Sequence, residues 1–306
     1  MKPHVEYRIC PCCGADDCEV LFESNSEADD FPEAVQTVYM LPGRKWGRHV
    51  RCRRCRLIYV NPVNEAGGIN EAYSQRTADD ARTIRRMRLR ASEAQVRLVD
   101  GLHHGGHLLD IGCGEGFFLY SAVRAGYDGT GMELSRHAAH YARQEFGLDV
   151  EARPFEELRF AENHFDVVTL WQVLEHVPYP LAILREAHRI LKPEGLLALS
   201  TPNIAGVPAR ALGRRWWNVR MLHINQFTAE TLSTMLRSAG FRNISSVSYR
   251  ESISLLMLFV PVLRYLRLYD ALKGLFGPDS LMGRAMNKIV IPYSSRLDNC
   301  TMVGVK

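Results

Sequence analysis

The amino-acid sequence predicts an α/β protein with a doubly wound parallel sheet and a small cysteine-rich N-terminal domain. Short apolar runs at 107–111, 129–132, 165–171 and 196–200 have the character of buried strands, and segments of helical spacing separate them. Alternation of strands and helices implies a parallel sheet. Three glycines alternate with other residues where the first strand turns into a helix, as in a loop that approaches a ligand closely. Two C-x-x-C pairs precede this region.

Length and composition are those of an ordinary globular protein. The 306 residues are 46% hydrophobic and 24% charged, which allows one large domain and a small one. A formal net charge of +4 is too small to demand a polyanionic partner, so we expect no nucleic acid to bind. Met1–Cys10 is polar and is not a secretory signal, and no apolar run approaches the ~20 residues of a spanning helix. We therefore expect a cytoplasmic protein.

Three segments follow from these patterns. Residues 1–65 are expected to form a zinc-ribbon-like domain, and residues 66–105 a linker and a helix that covers the ligand cleft. Residues 106–306 are expected to form the α/β domain, with a helical insertion at 251–292. Pro62, Gly67 and Gly68 mark the linker.

The spacing of the glycines discriminates between ligands. A dinucleotide fingerprint would place its third glycine at 117, where the chain has Phe117. The sequence instead has glycines at 112, 114 and 116 after Asp110. Glu133 follows the next strand, 133 − 110 = 23 residues later, close to the ~20 residues expected before an acidic residue that binds a ribose diol.

The two cysteine pairs predict a closed, structural zinc site. Cys10, Cys13, Cys52 and Cys55 form two C-x-x-C turns, each presenting two thiolates toward one point. The 52 − 13 − 1 = 38 residues between them leave room for a β-hairpin around Val35–Leu41. Cys12 and Cys18 make the register of the first pair ambiguous, and free thiols or a redox pair are the alternatives. Eight cysteines without a secretory signal also favour a reducing compartment.

The helix expected at Thr77–Leu102 has an apolar face and a basic side. The basic residues are Arg82, Arg85, Arg86, Arg88 and Arg90. A solvated face is the simpler interpretation, and contact with a phosphate or an anionic head group is the alternative.

Several motifs together resemble those of a known enzyme family. The glycine loop with Glu133 resembles the S-adenosylmethionine site of class I methyltransferases. The segments 174–177, 191–195 and 200–203 resemble the branch that includes ubiquinone-pathway O-methyltransferases. Motifs at 216–217, 223, 227–228, 231–232 and 239–241 resemble a bacterial part of that branch, whose members often carry a Cys₄ domain and often serve glycan, lipid or cell-surface biosynthesis.

The resemblance implies a seven-stranded, Rossmann-like sheet whose last two strands are 243–249 and 301–305, the final one antiparallel. It also implies S-adenosylmethionine as cofactor. The cofactor-binding residues it implies are Asp110, Gly112, Cys113, Gly114, Gly116, Glu133, Leu134 and Gln172.

Methyl transfer from a sulfonium mainly requires alignment of the acceptor and exclusion of water. A hydroxyl acceptor also needs a base, and His176 and His223 are the candidates. Helix capping is the alternative role for His176, and packing is the alternative for His223. Small-RNA 2′-O-methyltransferases resemble this fold and hold Mg²⁺ with Glu-x-x-Glu-His; here Gln172 replaces the first carboxylate, so we predict no catalytic metal.

The acceptor is not fixed by these motifs, because one scaffold serves many acceptors. We expect a small molecule, a sugar or a lipid-linked acceptor, methylated on a hydroxyl. An RNA methyltransferase is one alternative, although residues 170–173 lack the N-P-P-[YF]-like motif of base-methylating enzymes. A non-catalytic cofactor-binding module is the other.

Ile253–Leu263 is the most apolar run in the chain, and Arg264, Arg267 and Lys273 follow it. The run is too short to span a bilayer, and Pro261 is expected to kink or end a helix there. It is expected to cover the acceptor pocket or to form a homodimer contact. The alternative is an interfacial segment at the inner membrane surface.

Overall fold

The computed structural model describes residues 5–25, 46–64, 69–71, 74, 81–157, 159–220, 222–265, 268–277 and 280–306. Within these ranges, no helix combines the length and the apolarity that a bilayer span requires. The hairpin expected near Val35–Leu41 lies outside the described residues, as do residues 77–80, where the cleft-covering helix was expected to begin.

Fifteen strands are defined in the described residues, and four of them contain the apolar runs expected at 107–111, 129–132, 165–171 and 196–200. They are β1 Val5–Glu6, β2 Cys18–Phe22, β3 His49–Cys52, β4 Ile58–Val60, β5 Val63–Asn64, β6 Gly106–Ile111, β7 Tyr127–Met132, β8 Asp149–Glu151, β9 Phe165–Trp171, β10 Leu191–Pro202, β11 Asn225–Gln226, β12 Arg242–Val247, β13 Arg250–Ser254, β14 Val290–Ser294 and β15 Asn299–Val305.

Nine α-helices are defined in the same residues. They are α1 Ala81–Asp100, α2 Phe117–Arg124, α3 Arg136–Phe146, α4 Pro180–Ile190, α5 Val207–Leu212, α6 Ala229–Ser238, α7 Leu255–Tyr265, α8 Tyr269–Phe276 and α9 Leu281–Lys288. Local sequence explains several of their starts. Ser135 caps α3 by accepting a hydrogen bond from the amide of Ala138, and Thr228 caps α6 in a capping box with Thr231.

The main sheet has seven strands in the order β12-β15-β10-β9-β6-β7-β8. Strands β6 to β10 pair in parallel, whereas β15 pairs antiparallel with both β10 and β12. The predicted class I sheet, with an antiparallel final strand, is therefore confirmed. Because β6, β7 and β9 are parallel neighbours, their carboxyl ends meet at one edge.

The N-terminal strands form a second sheet that the α/β domain completes. Its order is β11-β4-β3-β2, and β11 comes from residues 225–226. Asn225 pairs with Tyr59 and Gln226 with Ile58 in an antiparallel register. Strand β4 would otherwise have an unpaired edge, and β11 covers it.

One of the hydrophobic clusters in the described residues joins the two parts of the chain. Cys10, Leu57 and Tyr59 from the N-terminal sheet belong to the same buried cluster as Leu109 and Leu170 from the main sheet. A short N-terminal segment has little core of its own, so this shared burial supplies much of its stability.

The segment between β12 and β15 contains a hairpin and three helices. Strands β13 and β14 pair antiparallel, and α7, α8 and α9 lie between them. Of the two expected effects of Pro261, a helix end is not observed, since α7 continues to Tyr265, and a kink stays a prediction. A proline removes one backbone donor, and inward packing of Leu256 and Leu263, which are 6% and 5% exposed, holds the helix together.

Candidate active site

The glycine loop lies between β6 and α2. Gly112 has φ +72°, and a Cβ there would approach Val173 Cγ2 to 2.6 Å, so only glycine fits. Gly114 has φ +56°, and a Cβ there would meet nothing within 4 Å, so the space beside it is open to a ligand. The amides of Gly112 and Cys113 donate to the carbonyl of Met132 at 2.8 and 2.9 Å. These bonds fix the loop to the end of β7.

Glu133 connects the same two strand ends through its carboxylate. Its Oε2 accepts a hydrogen bond from the amide of Gly114 at 2.8 Å, and its Oε1 accepts one from the amide of Ser135 at 2.7 Å. A carboxylate oxygen can accept more than one hydrogen bond. Glu133 therefore stands at the open side of the loop with its orientation fixed.

Asp110 lies behind the loop and is 1% exposed. The hydroxyl of Thr169, on the neighbouring strand, donates to its Oδ1 at 2.7 Å. Burial raises the pKa of Asp110 to about 7, against the opposing effect of the Thr169 hydrogen bond. Asp110 thus ties β6 to β9 beneath the ligand-facing surface.

A cleft opens at the carboxyl ends of β6, β7 and β9. Of the predicted site residues, Gly112, Gly114, Glu133, Leu134, Gln172 and His176 line it. Asp110, Cys113, Gly116 and His223 are not among the lining residues. The walls are otherwise largely apolar, with Ile111, Met132 and Val173. An apolar slot with a carboxylate and backbone amides at one side suits a nucleoside.

Arg153 and Phe155 also line the cleft and were missed by the sequence analysis. They follow β8, whose carboxyl end lies beside that of β7. Strand order could have pointed to them, but they carry no motif. Tyr179 and Ile183, at the start of α4, line the opposite wall.

Gln172 ends β9 in an unusual backbone conformation. Its φ of +58° lies in the left-handed region, which residues with a side chain rarely adopt. Its amide donates to the carbonyl of Ser200 at 2.9 Å, and its Nε2 donates to the hydroxyl of Ser200 at 3.2 Å. Such strain is often found where a side chain must face a site.

His176 and His223 lie together, with ring centroids 4.7 Å apart. Nδ1 of His176 is 2.9 Å from the carbonyl of Leu222, which can only accept, so Nδ1 carries the proton and Nε2 is the acceptor in the neutral ring. His223 is 1% exposed, and Arg220 donates to its Nε2. Burial and Arg220 hold the pKa of His223 well below its usual range.

Glu175 is buried beside these histidines, with Oε1 3.8 Å from Nε2 of His176. Burial raises the pKa of Glu175 to about 8. One potential ligand atom from each of Glu175, His176 and His223 lies within 4.8 Å of the others. Imidazole and carboxylate groups suit several transition metals, so the absence of a catalytic metal stays a prediction.

Two arginines of α1 form ion pairs with neighbouring parts of the fold, and the role of α1 as a cover of the cleft stays a prediction. Arg88 forms an ion pair with Glu115 of the loop, and Arg85 forms one with Glu145 at 3.0 Å. The guanidinium of Arg88 also lies over the ring of Phe117. Both arginines thus have partners within the protein, and contact of the basic side with a phosphate or an anionic head group stays a prediction.

The four predicted cysteine ligands form one cluster. The sulfurs of Cys10 and Cys55 are 3.4 Å apart, those of Cys13 and Cys52 are 3.6 Å apart, and all four lie within 4.8 Å of one another. A tetrahedral ion with bonds of about 2.3 Å holds its sulfurs about 3.8 Å apart, so the cluster fits zinc. Cys12 and Cys18 are outside this group, which favours Cys10 and Cys13 as the first pair of ligands.

Comparisons with known proteins agree with this geometry. Similar curated proteins include ubiquinone biosynthesis O-methyltransferases of Actinobacillus pleuropneumoniae, 37% identical over 109 residues, and of Pseudomonas aeruginosa, 38% identical over 105 residues. Each match covers 32% of this chain, with 47% and 45% of the respective relative. The chain thus spans about half the length of the curated relatives it matches.

Among solved structures, a SAM-dependent methyltransferase of Archaeoglobus fulgidus is 17% identical, with a TM-score of 0.51 over 73% of this chain and 97% of that one. One from Thermotoga maritima is 21% identical, with a TM-score of 0.50 over 74% and 95%. These matches show the fold alone. The sequence model of the family described as "Methyltransferase domain" matches residues 80–246, more than half of the chain. The chain therefore belongs to the methyltransferase-domain family, in the S-adenosylmethionine-dependent class that its motifs predicted.

Proposed function

We propose that this protein transfers a methyl group from S-adenosylmethionine to a hydroxyl of a small-molecule acceptor. The observation that carries the proposal is Glu133, fixed by the Gly114 amide at the mouth of a cleft in a methyltransferase-family sheet. The curated relatives are named as O-methyltransferases of ubiquinone biosynthesis, which supports an oxygen acceptor. A sugar or a lipid-linked molecule from cell-envelope biosynthesis is the finer form of this proposal.

In this proposal Glu133 accepts hydrogen bonds from the ribose hydroxyls, and Leu134 packs against the adenine. The backbone of the loop from Gly112 to Gly116 and the side chain of Gln172 lie beside the methionine end, while the amides of Gly112, Cys113 and Gly114 stay bonded within the protein. Asp110 and Cys113 hold the loop from behind. The bound cofactor supplies an activated methyl group, so the protein chiefly orients the acceptor and excludes water.

His176 is proposed as the base that accepts the proton of the acceptor hydroxyl. Its position on the cleft wall and the acceptor role of its Nε2 support this assignment. His223 is buried behind it and is proposed to position the His176 ring. A His176→Gln variant that bound the cofactor and kept full methyl-transfer activity would contradict the assignment of His176 as the base.

Replacing Glu133 by alanine should weaken binding of S-adenosylmethionine by about 1–3 kcal/mol, because the ribose hydroxyls lose a charged acceptor. Isothermal titration calorimetry measures this change. Asp128→Ala is the matched control, since Asp128 lies on β7, the strand that Glu133 follows, and its side chain is 80% exposed. Equal affinities of wild type and Glu133→Ala would contradict the ribose assignment.

The reaction itself can be tested with S-adenosylmethionine that carries a trideuterated methyl group. Wild-type protein incubated with a small-molecule extract should yield a product heavier by that group, and Glu133→Ala should yield far less. Wild-type protein that binds the cofactor but labels nothing across extracts and a panel of hydroxylated acceptors would favour a non-catalytic module.

We propose that the cysteine cluster binds one structural zinc ion. Cys13→Ala should lose the metal and unfold the N-terminal sheet, because that sheet has little core of its own. Cys12→Ala should keep the metal, since Cys12 lies outside the cluster. Elemental analysis and circular dichroism check both outcomes. Zinc-free protein with an intact N-terminal sheet would contradict the proposal.

The insertion between β12 and β15 is proposed to contact a membrane surface peripherally, where a lipid-linked acceptor would be found. Support comes from exposed apolar side chains, with Leu281 81% and Ile289 52% exposed, and from five basic against three acidic residues at 251–292. A homodimer contact, which was expected for Ile253–Leu263, would also be favoured by exposed apolar side chains such as these.

Flotation with anionic liposomes tests the membrane contact. Wild type should float with the vesicles, whereas the double variant Leu281→Ser, Ile289→Ser should not. Vesicles of neutral lipid should bind more weakly, because the basic residues lose their partners. Wild type that stays in the soluble fraction would contradict the membrane contact, and concentration-dependent dimers lost in the same variant would favour the dimer.

A further inference from the structure

Arg8 is a buried arginine that the proposed reaction does not use. It is 8% exposed and lies two residues before Cys10. Burial lowers the pKa of its guanidinium to about 10. Fully buried arginines are rare unless every donor is satisfied, because leaving water costs the charged group its hydration.

The hydrogen-bond partners of this guanidinium are all neutral oxygens. Nε donates to the carbonyl of Val60 at 3.2 Å, and Nη1 donates to the carbonyl of Pro178 at 2.7 Å. Nη2 donates to the carbonyl of Ile224 at 3.0 Å and to Oδ1 of Asn225 at 3.1 Å. The planar fork of arginine can reach several such acceptors at once, whereas a lysine ammonium cannot reproduce its geometry.

These acceptors belong to different parts of the fold. Val60 belongs to the N-terminal sheet, Ile224 and Asn225 lie at strand β11, and Pro178 lies on the cleft wall. The backbone amide of Arg8 donates to Oδ1 of Asn61 at 3.0 Å, and Nδ2 of Asn61 donates to the carbonyl of Arg8 at 3.2 Å. This pair of hydrogen bonds fixes the chain at Arg8. Arg8 therefore joins the cysteine-bearing sheet directly to the cleft.

Asn225 extends this connection along the same wall. Its Nδ2 donates to the carbonyls of Leu174 and Val177, at 3.0 and 2.8 Å, and its backbone amide donates to the carbonyl of Glu175 at 3.1 Å. Segment 174–178 is thus held at four carbonyls, one by Arg8 and three by Asn225. His176 lies within this segment and faces the cleft.

We infer that Arg8 is a positioning residue: through Pro178 and Asn225 it fixes the 174–178 wall of the cleft, so the N-terminal sheet is a structural part of the active site. The inference rests on the proposed function in taking the cleft as the cofactor site, whereas the hydrogen bonds of Arg8 and Asn225 do not depend on that proposal. A separate recognition domain would not form part of the cleft. Here the Arg8 guanidinium lies between the N-terminal sheet and the cleft wall and is hydrogen-bonded to both.

Hydrogen exchange measured by mass spectrometry tests this inference without a substrate. In Arg8→Gln, the peptide that covers 173–179 should exchange about tenfold faster, which corresponds to the loss of about 1.4 kcal/mol of local stability. The peptide that covers the glycine loop should change little. In Arg8→Lys, the exchange rate of 173–179 should lie between those of wild type and Arg8→Gln, since lysine keeps the charge but lacks the planar guanidinium.

Arg51→Gln is the matched control. Arg51 lies on β3 of the same sheet and pairs with Glu19, away from the cleft. It should leave exchange of 173–179 unchanged. Zinc content and the thermal midpoint are measured for every variant, because a purely structural loss would raise exchange throughout the N-terminal sheet and not at the cleft wall first. If Arg8→Gln does not fold, the inference is tested by comparing the exchange rate of 173–179 in Arg8→Lys with that in Arg51→Gln.

Cofactor affinity gives a second readout. Calorimetry should show S-adenosylmethionine bound about tenfold more weakly by folded Arg8→Gln than by Arg51→Gln, by the same conversion. Unchanged exchange of 173–179 in folded Arg8→Gln protein would overturn the inference. Wild-type protein that failed to bind the cofactor would instead contradict the proposed function, while the exchange result would still stand.

Discussion

The carboxylate of Glu133, bonded to the amides of Gly114 and Ser135, is the contact on which the arrangement of the cleft depends. It joins the ends of two adjacent parallel strands at the point where the chain turns into a helix. A charged acceptor bonded to backbone amides is among the stronger hydrogen bonds in a protein. The loop is therefore fixed before any ligand arrives, which lowers the cost of binding.

The opposite wall of the cleft depends on residues far away in the sequence. Asn225 and Arg8 hold segment 174–178 by its carbonyl groups, and Asn225 also starts the strand that completes the N-terminal sheet. The cysteine cluster, that sheet and the cleft wall thus form one hydrogen-bonded unit on a shared core. If the cluster binds zinc as proposed, we expect loss of the ion to disturb the wall that carries His176.

Much of the cleft was predictable because its chemistry is carried by local motifs. The glycine spacing, Glu133 at the end of the next strand and the two C-x-x-C turns each need only a few neighbouring residues. Arg8 gave no such signal, since its acceptors are 52 to 217 positions away and are mostly backbone carbonyls. Phe155 and Arg153 follow a short strand without a motif, and Pro261 lies in a helix that tertiary packing maintains.

The most direct test of the account is an experimental structure of the protein with S-adenosylhomocysteine, the product that methyl transfer leaves behind. We expect the ribose hydroxyls to lie within hydrogen-bond distance of the Glu133 carboxylate, the adenine to lie beside Leu134 and the sulfur to lie on the side of His176. A ligand bound elsewhere, or bound in this cleft with its ribose away from Glu133, would contradict it.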